Sequence, residues 1–490
     1  MKTPALFLLA PLAAVLGGCN VGPDYHAPAA NAPAQWSEPL AGGESTAAAT
    51  DAAWWKNFHD AELDSLIDRA VSANLDLKIA EARLREARAR QGVADAALGP
   101  TLEAKGAAQR QRQSENQPVL GSIPLPPTIP FTNNVYQAGF DASWEVDIFG
   151  GTRREAQAAA ADVAAAEYHR RGAVVSLLAE VARNYIEARG DQRRLDITRQ
   201  NLIAQQDALT LSKDRAQKGL ASDLDPEQAA ALLATTRAEV PALQSSLDAS
   251  IHRLGVLLGL PPGALAEELS QTAPIPAAPA SVAVGLPSEL IERRPDVRQA
   301  GSELAAQTAR IGVATADLFP KFFLTGAAGF ESVGTSDLFT GPSRMWSIGP
   351  TLQWKVFDSG TIRANIRVQN ARQEQALAHY EQTVLYAFED VENALVSYAN
   401  EQTRRQSLAQ AATLDEDALH LANQRYANGI ASFLDVLDAE RSLYETQDKL
   451  AQSDRAIAVD LVTLYKALGG GWETTAAKAA STPGPTASTQ

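Results

Sequence analysis

The chain has 490 residues, 45% of them hydrophobic, and its 43 basic and 58 acidic residues give a net charge of −15. That charge argues against nucleic acid as a partner, because the phosphate backbone would be repelled. The single cysteine, Cys19, excludes an intrachain disulfide. Downstream of the N-terminal segment no run of about 18 apolar residues exists, so hydropathy predicts no transmembrane helix.

The N-terminus is typical of a bacterial lipoprotein signal. Residues 1–18 contain one basic residue, Lys2, then an apolar stretch over 5–15 and small residues directly before Cys19. We therefore predict that residues 1–18 are removed and that Cys19 becomes a lipidated first residue. An ordinary secretory signal with a chance cysteine is the alternative. Asn20 resembles the residue that permits sorting of Gram-negative lipoproteins to the outer membrane.

Two parts of the chain match each other at a constant separation, the pattern of a tandem duplication. The matched pairs include Trp144 and Trp354, Gly150 and Gly360, and Gly219 and Gly429 at a separation of 210, and Pro100 and Pro320 at 220. We predict repeat 1 over residues 61–260, a linker or equatorial segment over 261–287, and repeat 2 over 288–470. Residues 19–60 form the predicted lipid-anchored segment, and the tail 471–490 is predicted to be disordered.

Each repeat is predicted to contain a helix, two strands and a long helical hairpin. The first helix covers about residues 61–98 and stops at Gly99-Pro100. The long helices, about 152–218 and 361–428, would each span about 100 Å and therefore need lateral packing.

Apolar rows predict how these helices pack. The first long helix has a heptad row of Val174, Val181, Ala188, Leu195, Leu202, Leu209 and Ala216. Return helices follow at about 226–258 and 436–468. Their apolar stripes are Leu233, Val240, Leu243, Leu247, Ile251, Leu254 and Leu258, and Leu443, Leu450, Ser453, Ile457, Leu461, Leu464 and Leu468.

Four segments alternate apolar and polar residues with a period of two, which indicates strands with one apolar face. The apolar positions are Leu102 to Ala108, Tyr136 to Ile148, Phe322 to Phe330 and Trp346 to Val356, taken every second residue. The opposite face carries Asp141, Glu145 and Asp147. Such strands fit a transmembrane β-barrel with a water-filled interior, although a soluble sandwich would show the same alternation.

Four strands cannot close a barrel, and open edges are not tolerated in hydrocarbon, so several copies must contribute strands to one barrel. Two copies would give eight strands and a filled interior, whereas three give twelve and leave room for a lumen. We therefore predict an α+β membrane protein that forms a homotrimer with a 12-stranded β-barrel, four strands per protomer, in outer membrane lipid.

The chain resembles the TolC/NodT family of outer membrane factors, the lipoprotein exit ducts of tripartite efflux pumps. The residues that resemble the family are Cys19 with 21–25, Trp54-Trp55, 287–296, Phe319-Pro320, 354–360, 468–472, and the turn motifs 219–225 and 426–435. The resemblance implies that the barrel continues as a long α-helical coiled-coil periplasmic tunnel with a mixed equatorial domain. It also implies partnership with a periplasmic adaptor (membrane fusion protein) and an inner-membrane transporter.

The resemblance places a periplasmic gate just after the second turn. Asp435 and Asp438 lie at i and i+3 on one helix face, so three copies would present a ring of six carboxylates. Asp435 as a simple helix cap is the alternative. Family members that lock this turn with an arginine have it where this chain has Ala431, so Arg441, at i+3 from Asp438, is the substitute candidate. A plain surface role for Arg441 stays open.

Further candidate sites follow from the turns and the aromatic residues. By resemblance, the adaptor-docking tips are Gly219, Leu220, Ala221, Ser222, Gly429, Ile430, Ala431 and Ser432. Asp223 and Asp225 are expected to cap the first return helix, since Pro226 follows. The expected membrane-interface aromatics are Tyr136, Trp144, Trp346 and Trp354.

The sequence offers no catalytic motif, so we predict no enzyme, no cofactor and no metal site. The six histidines show no metal-ligand spacing, and no phosphate loop or nucleophile elbow is present. The predicted function is a passive gated exit duct for drugs or other small toxic compounds. The alternatives are a type I secretion channel and, in another class, a lipid-anchored periplasmic coiled-coil scaffold, which would leave the amphipathic strands without a role.

Overall fold

A computed structural model describes residues 20–29, 32–40, 42–47, 52–112, 114, 131–279 and 281–473. Cys19, the predicted signal and the tail from 474 onward lie outside these residues. The chain divides into two compact units. We call them the sheet unit, made of residues up to Pro28, Arg85–Ala165 and Gly301–His379, and the hairpin unit, made of Ala29–Leu84, Ala166–Ala300 and the chain from Tyr380. Among the described residues, no helix has the length and apolarity needed to cross a membrane.

Helices make up most of the described chain. The strands are β1 (Glu44–Ser45), β2 (Thr101–Arg112), β3 (Thr132–Val146), β4 (Val282–Ala283), β5 (Lys321–Ser332) and β6 (Arg344–Gln353). The helices are α1 (Ala61–Ala73), α2 (Leu75–Ala96), α3 (Gly151–Gln217), α4 (Leu224–Leu257), α5 (Pro287–Arg293), α6 (Pro295–Ala316), α7 (Thr361–Ala427) and α8 (Phe433–Ala467). Helices α3 and α7 each have 67 residues, within one residue of the predicted bounds.

The sheet unit contains an antiparallel four-stranded sheet in the order β2-β3-β5-β6. Its register places Phe140 opposite Ala104 and Ala328, and Trp346 opposite Ala328 as well. The even-numbered residues of these strands therefore share one face, as the alternation predicted. Large side chains on that face are exposed, among them Phe140, Trp346 and Ile348 at 56%, 78% and 71%.

The opposite face of the sheet is polar and internally paired. Lys105, whose direct partner on β3 is Gly139, forms a diagonal ion pair with Asp141, and Gln137 donates to Glu331. Asp147 does not belong to this face, contrary to prediction, because β3 ends at Val146. Its carboxylate instead accepts a hydrogen bond of 2.9 Å from the backbone N–H of Arg153, in the first turn of α3. The first N–H groups of a helix have no partner within the helix, so a carboxylate beside them is stabilised by accepting their hydrogen bonds.

The N-terminal residues 20–24 are fixed against the start of α3 within the sheet unit. The guanidinium of Arg154, 2% exposed, donates to the carbonyls of Val21 and Gly22 at 3.1 and 3.3 Å and pairs with Asp24 at 2.8 Å. A Cβ on Gly22 would lie 2.5 Å from the Cα of Gly312, so glycine is required for this close approach.

The hairpin unit buries most residues of the predicted apolar rows, whereas Leu202, Ala216, Val240 and Leu450 remain partly exposed. Val174 and Val181 are fully buried and Leu195 nearly so, and on the return helices Leu254, Leu461 and Leu464 are fully buried. These residues join the aromatic residues Trp54 and Trp55 in one core. The core therefore runs along the helices and under the short segment that contains the tryptophan pair.

The first helix is broken at Asn74, which corrects the single helix predicted over 61–98. The buried Asn74 side chain accepts from the N–H of Leu77 and donates to the carbonyl of Leu257, both at 2.9 Å. It therefore caps α2 and satisfies the end of α4 together. In the second repeat Arg294 occupies the equivalent junction and donates to the carbonyl of Ala467 at 3.0 Å.

Ion pairs around one buried carboxylate join α3 to α8. Asp191, with no exposed surface, lies 3.3 Å from Arg455, and Arg194 pairs with Asp448 at 2.7 Å. Arg455 crosses α3 directly over Gly190, where a Cβ would lie 2.5 Å from the Arg455 Cδ. Removing the cations beside Asp191 would leave its buried carboxylate uncompensated, so these pairs favour one alignment of the two helices.

The fully buried Leu254 of α4 tests the core. Leu254→Ala should lower the free energy of unfolding by about 2–5 kcal/mol, because lost burial adds to the cavity left behind. The matched control is Val256→Ala, since Val256 on the same helix is 49% exposed and should change stability little. Thermal unfolding of the purified protein in detergent measures both variants. Equal shifts in their midpoints would contradict the assigned core face.

Candidate functional site: the hairpin tips

Both long helices reverse direction in turns of the same backbone form. Gly219 and Gly429 have positive φ values of 70° and 74°, which side chains disfavour. The next N–H in each turn donates 2.9 Å back to a carbonyl of the helix, Leu220 to Arg215 and Ile430 to Arg425. This is the hydrogen-bond pattern of a helix ended by a left-handed glycine.

The tips present apolar side chains to the outside. Leu220 and Ile430 are 66% and 69% exposed, and the following residues Leu224 and Leu434 are exposed as well. All the predicted tip residues lie in or beside the two turns: Gly219, Leu220, Ala221, Ser222, Gly429, Ile430, Ala431 and Ser432. Exposed apolar residues grouped in this way are characteristic of a contact surface.

The two return helices begin with different caps. Ser432 and Asp435 form a capping box, in which the N–H of Ser432 donates to the Asp435 carboxylate at 2.9 Å. Asp435 therefore has the capping role that the sequence left open. At the other tip the predicted cap by Asp223 is wrong: Ser222 accepts from the N–H of Leu224 at 3.2 Å, and Asp223 makes no side-chain cap.

Asp438 and Arg441 form the ion pair predicted at i and i+3, with 2.9 Å between their nearest atoms. Both side chains are more than half exposed, so the pair is worth only about 0.3–0.5 kcal/mol. With Asp435 one turn earlier, the start of α8 keeps a net negative charge. Three copies of this segment around an axis would concentrate that charge.

Sequence reasoning missed an aromatic and cationic contact beneath the tips. The guanidinium of Arg215, on the last turn of α3, lies 4.4 Å from the ring centre of Tyr426, at the end of α7. Tyr426 also packs on Phe433 at 5.3 Å, inside a small core with Leu209 and Leu233. The sequence does show two aromatic residues, Tyr426 and Phe433, on either side of one turn. It does not show that Arg215, about 210 residues earlier, lies against them, because only the fold brings these residues together.

A buried carboxylate, Glu440, lies on α8 two turns beyond Phe433. It is 9% exposed, and one of its oxygens has no hydrogen-bond partner among the described residues. Burial raises the pKa of Glu440 to about 7. By contrast, the nearby carboxylate of Asp415 on α7 has hydrogen-bond partners on α8: it accepts from the hydroxyls of Ser442 at 3.1 Å and Thr446 at 2.6 Å.

The predicted interface aromatics belong to the sheet unit. The indole N–H of Trp144 donates to the carbonyl of Leu98 at 2.9 Å, and that of Trp354 donates to the carbonyl of Leu318 at 3.1 Å. These two contacts are equivalent in the two halves of the sequence. Tyr136 and Trp346 lie on the apolar face of β3 and β6, whereas Trp354 lies just after β6, which ends at Gln353, three residues before the predicted strand end at Val356.

An open sheet with an exposed apolar face, together with helical hairpins of this length, defines the class of outer membrane ducts. Residues 66–260 and 286–470 match the family described as outer membrane efflux protein. The chain belongs to this family. It is 35% identical to the outer membrane protein OprJ of Pseudomonas aeruginosa, over 96% of this chain and 97% of that protein.

Two further comparisons agree. Nodulation protein T of Rhizobium leguminosarum is 33% identical over 94% of this chain and 96% of its own length. The solved structure of the outer-membrane channel OprN superposes with a TM-score of 0.87 at 36% identity, covering 93% of this chain and all of that one. The outer membrane location and the efflux role predicted from the sequence are thereby confirmed.

The buried Glu440 gives a pH prediction. Its pKa is raised from 4.5 to about 7 in the folded protein, so between these values only the folded state holds the proton. Stability conferred by that proton is present at acid pH and lost as the pH rises to about 7. Glu440→Gln should therefore raise the thermal midpoint relative to the wild type at pH 8.5 more than at pH 5.5.

The control for this prediction is Glu445→Gln on the same helix, where the side chain is about half exposed. It should leave the pH dependence of the midpoint unchanged. A Glu440→Gln variant whose midpoint runs parallel to that of the wild type across the pH range would show that Glu440 titrates normally.

Proposed function

We propose that this outer membrane efflux protein is a homotrimer whose sheets form one 12-stranded barrel, and that it acts as a passive gated exit duct for small compounds. The observation that supports this most directly is the sheet itself. Strands β2 and β6 are its edges, and the face containing Phe140, Trp346 and Ile348 is exposed. Edges in hydrocarbon must be paired, and pairing β6 of one copy with β2 of the next satisfies both.

The helices support the same assembly. Apolar side chains lie exposed along α2 and α7, including Ile79, Leu385, Leu414 and Leu421 at 51% to 67%. A helix in water normally turns such residues toward a partner. In the proposed trimer they contact the neighbouring copy, and the hairpins together form the wall of a periplasmic tunnel with its equatorial domain.

The polar face of the sheet suits a water-filled lumen. Asp141 and Glu145 share that face with Lys105, and all three remain at least partly accessible. In a barrel, residues of one parity face lipid and those of the other face the interior. Oligomeric mass in detergent tests the assembly directly: a trimer supports the duct, whereas a monomer without a pore makes the lipid-anchored scaffold the better explanation.

The start of α8 is the proposed gate. Asp435 and Asp438 from three copies would surround the aperture, and Arg441 limits the charge through its pair with Asp438. Rings of carboxylates select cations. The exposed tips, with Leu220 and Ile430 foremost, are the proposed docking surface for the hairpin of a periplasmic adaptor, which would connect the duct to an inner-membrane transporter.

The gate proposal predicts the effect of removing charge at the tip. Asp438→Asn should reduce cation selectivity in planar-bilayer recordings, and Asp435→Ala with Asp438→Ala should reduce it further or raise conductance. Asp438→Asn is the cleaner variant, because Asp435 also caps α8. The control, Asp223→Asn with Asp225→Asn, changes the other turn. Selectivity and conductance equal to those of the wild type in both Asp438 variants would remove Asp435 and Asp438 from the gate.

Cys19 is the proposed lipid attachment site. The next residues, 20–24, are held beside the start of α3, which supports a fixed position for the proposed anchor. Cys19→Ser should abolish acylation, measured by incorporation of a labelled fatty acid. Membrane attachment should persist through the barrel and resist extraction at high pH. If unacylated protein is released completely while still folded, the barrel does not hold the protein in the membrane.

A further inference from the structure

The loop between β5 and β6, residues 333–343, exposes large apolar side chains. Val333 and Phe339 are 71% and 72% exposed. Within the sheet unit this loop lies at the end of the strands away from α6 and α7, because α6 leads into β5 and β6 leads toward α7. An exposed apolar side chain calls for an explanation only where it belongs to a larger apolar patch.

The loop has a defined conformation built around Asp337. Its carbonyl accepts from the N–H and the hydroxyl of Thr340 at 3.1 and 2.7 Å, and from the hydroxyl of Ser343 at 2.7 Å. A short 3-10 turn, Gly341–Ser343, follows and leads into β6. These bonds hold the segment before β6 in place, and Phe339 lies between Asp337 and that turn.

Phe339 leans toward the apolar face of the sheet. Its ring packs edge-on against Phe330, with 5.5 Å between ring centres and an angle of 71°. Phe330 is an even-numbered residue of β5, paired with Ala138 and Arg344, so it belongs to the face that also carries Trp346. The loop therefore extends the apolar face beyond the last ladder pair.

We propose that Phe339 contacts membrane lipid, so that the β5–β6 loop forms an additional hydrophobic contact at the outer interface of the bilayer. This inference rests on the proposed barrel, whose lipid-facing side is the even-numbered face. We assign lipid as the partner because Phe339 packs on Phe330, at the end of that face, and so continues the surface that contacts lipid in the proposed barrel. Aromatic side chains are favoured where hydrocarbon meets headgroups.

The test uses single cysteines that carry an environment-sensitive fluorophore, in liposomes of phosphatidylcholine spin-labelled either near the headgroup or deep in the acyl chains. Phe339→Cys is compared with Ser336→Cys, a polar residue of the same loop, and with Ile348→Cys on the apolar face of β6. Unsubstituted protein serves as the blank for labelling at Cys19, the only native cysteine.

At residue 339 we expect blue-shifted emission, quenched most by the shallow spin label. Residue 348 should be quenched more by the deep label, and residue 336 should show emission as in water. Quenching at 348 with water-like emission at 339 would overturn the loop contact while leaving the barrel intact. No quenching at 348 would show that the proposed barrel itself had failed.

A neighbouring copy is the other possible occupant, because β6 is an edge of the sheet. Bifunctional thiol crosslinking of Phe339→Cys distinguishes it. Efficient crosslinking between protomers together with absent lipid quenching would assign Phe339 to the interface between copies and overturn the lipid contact. Quenching without crosslinking supports it.

Discussion

The unsatisfied edges of one four-stranded sheet set the requirements for the rest of this protein. β2 and β6 each present a row of backbone N–H and C=O groups, and one face of the sheet is apolar and exposed. In hydrocarbon each unpaired group costs several kcal/mol, so the sheet alone cannot enter a membrane. Self-association with edge pairing removes that cost. In the proposed homotrimer, the exposed apolar residues on the helices of the same chain would likewise be covered by neighbouring copies.

The two halves of the chain share the same backbone conformation at equivalent positions but differ in some of the side chains there. Gly219 and Gly429 end the long helices in the same conformation, and Trp144 and Trp354 make the same hydrogen bond to a carbonyl. At the helix junctions, however, neutral Asn74 is replaced by the cation Arg294, which also pairs with Asp296 and Asp390 at 2.7 and 3.0 Å. The backbone carbonyl at the end of the return helix is satisfied in both halves. The second half therefore acquires charge at a position where the first needs only an amide.

Periodicity was sufficient to predict the long helices, most of the buried apolar positions and the faces of the sheet, because these depend on residues close in sequence. Val174 and Val181 of the heptad row are buried, and α3 and α7 end within a residue of the predicted positions. The break at Asn74 was missed, since the surrounding composition is helical; the Asn74 side chain caps α2 locally and is also held by a distant carbonyl on α4. The prediction that Asp147 belongs to the polar face of the sheet was wrong for a similar reason. The alternation continues past Val146 in the sequence, but the Asp147 carboxylate accepts a hydrogen bond from the N-terminus of α3. Contacts between residues far apart in sequence, such as that of Arg215 with Tyr426, likewise could not be predicted from residue spacing.

The strength of the proposed gate cannot come from its exposed charges. Asp438 and Arg441 form a surface pair worth about 0.3–0.5 kcal/mol, and carboxylates gathered around an axis repel one another. What holds each tip together is the small core beneath it, where Phe433 and Tyr426 pack with Leu209 and Arg215. A cation over an aromatic ring is worth about 0.5–1 kcal/mol at an exposed site and more when desolvated, and Arg215 is partly buried. The charges of the proposed gate are therefore suited to selecting ions, while the cation–aromatic contact between Arg215 and Tyr426 helps to hold the two hairpins together.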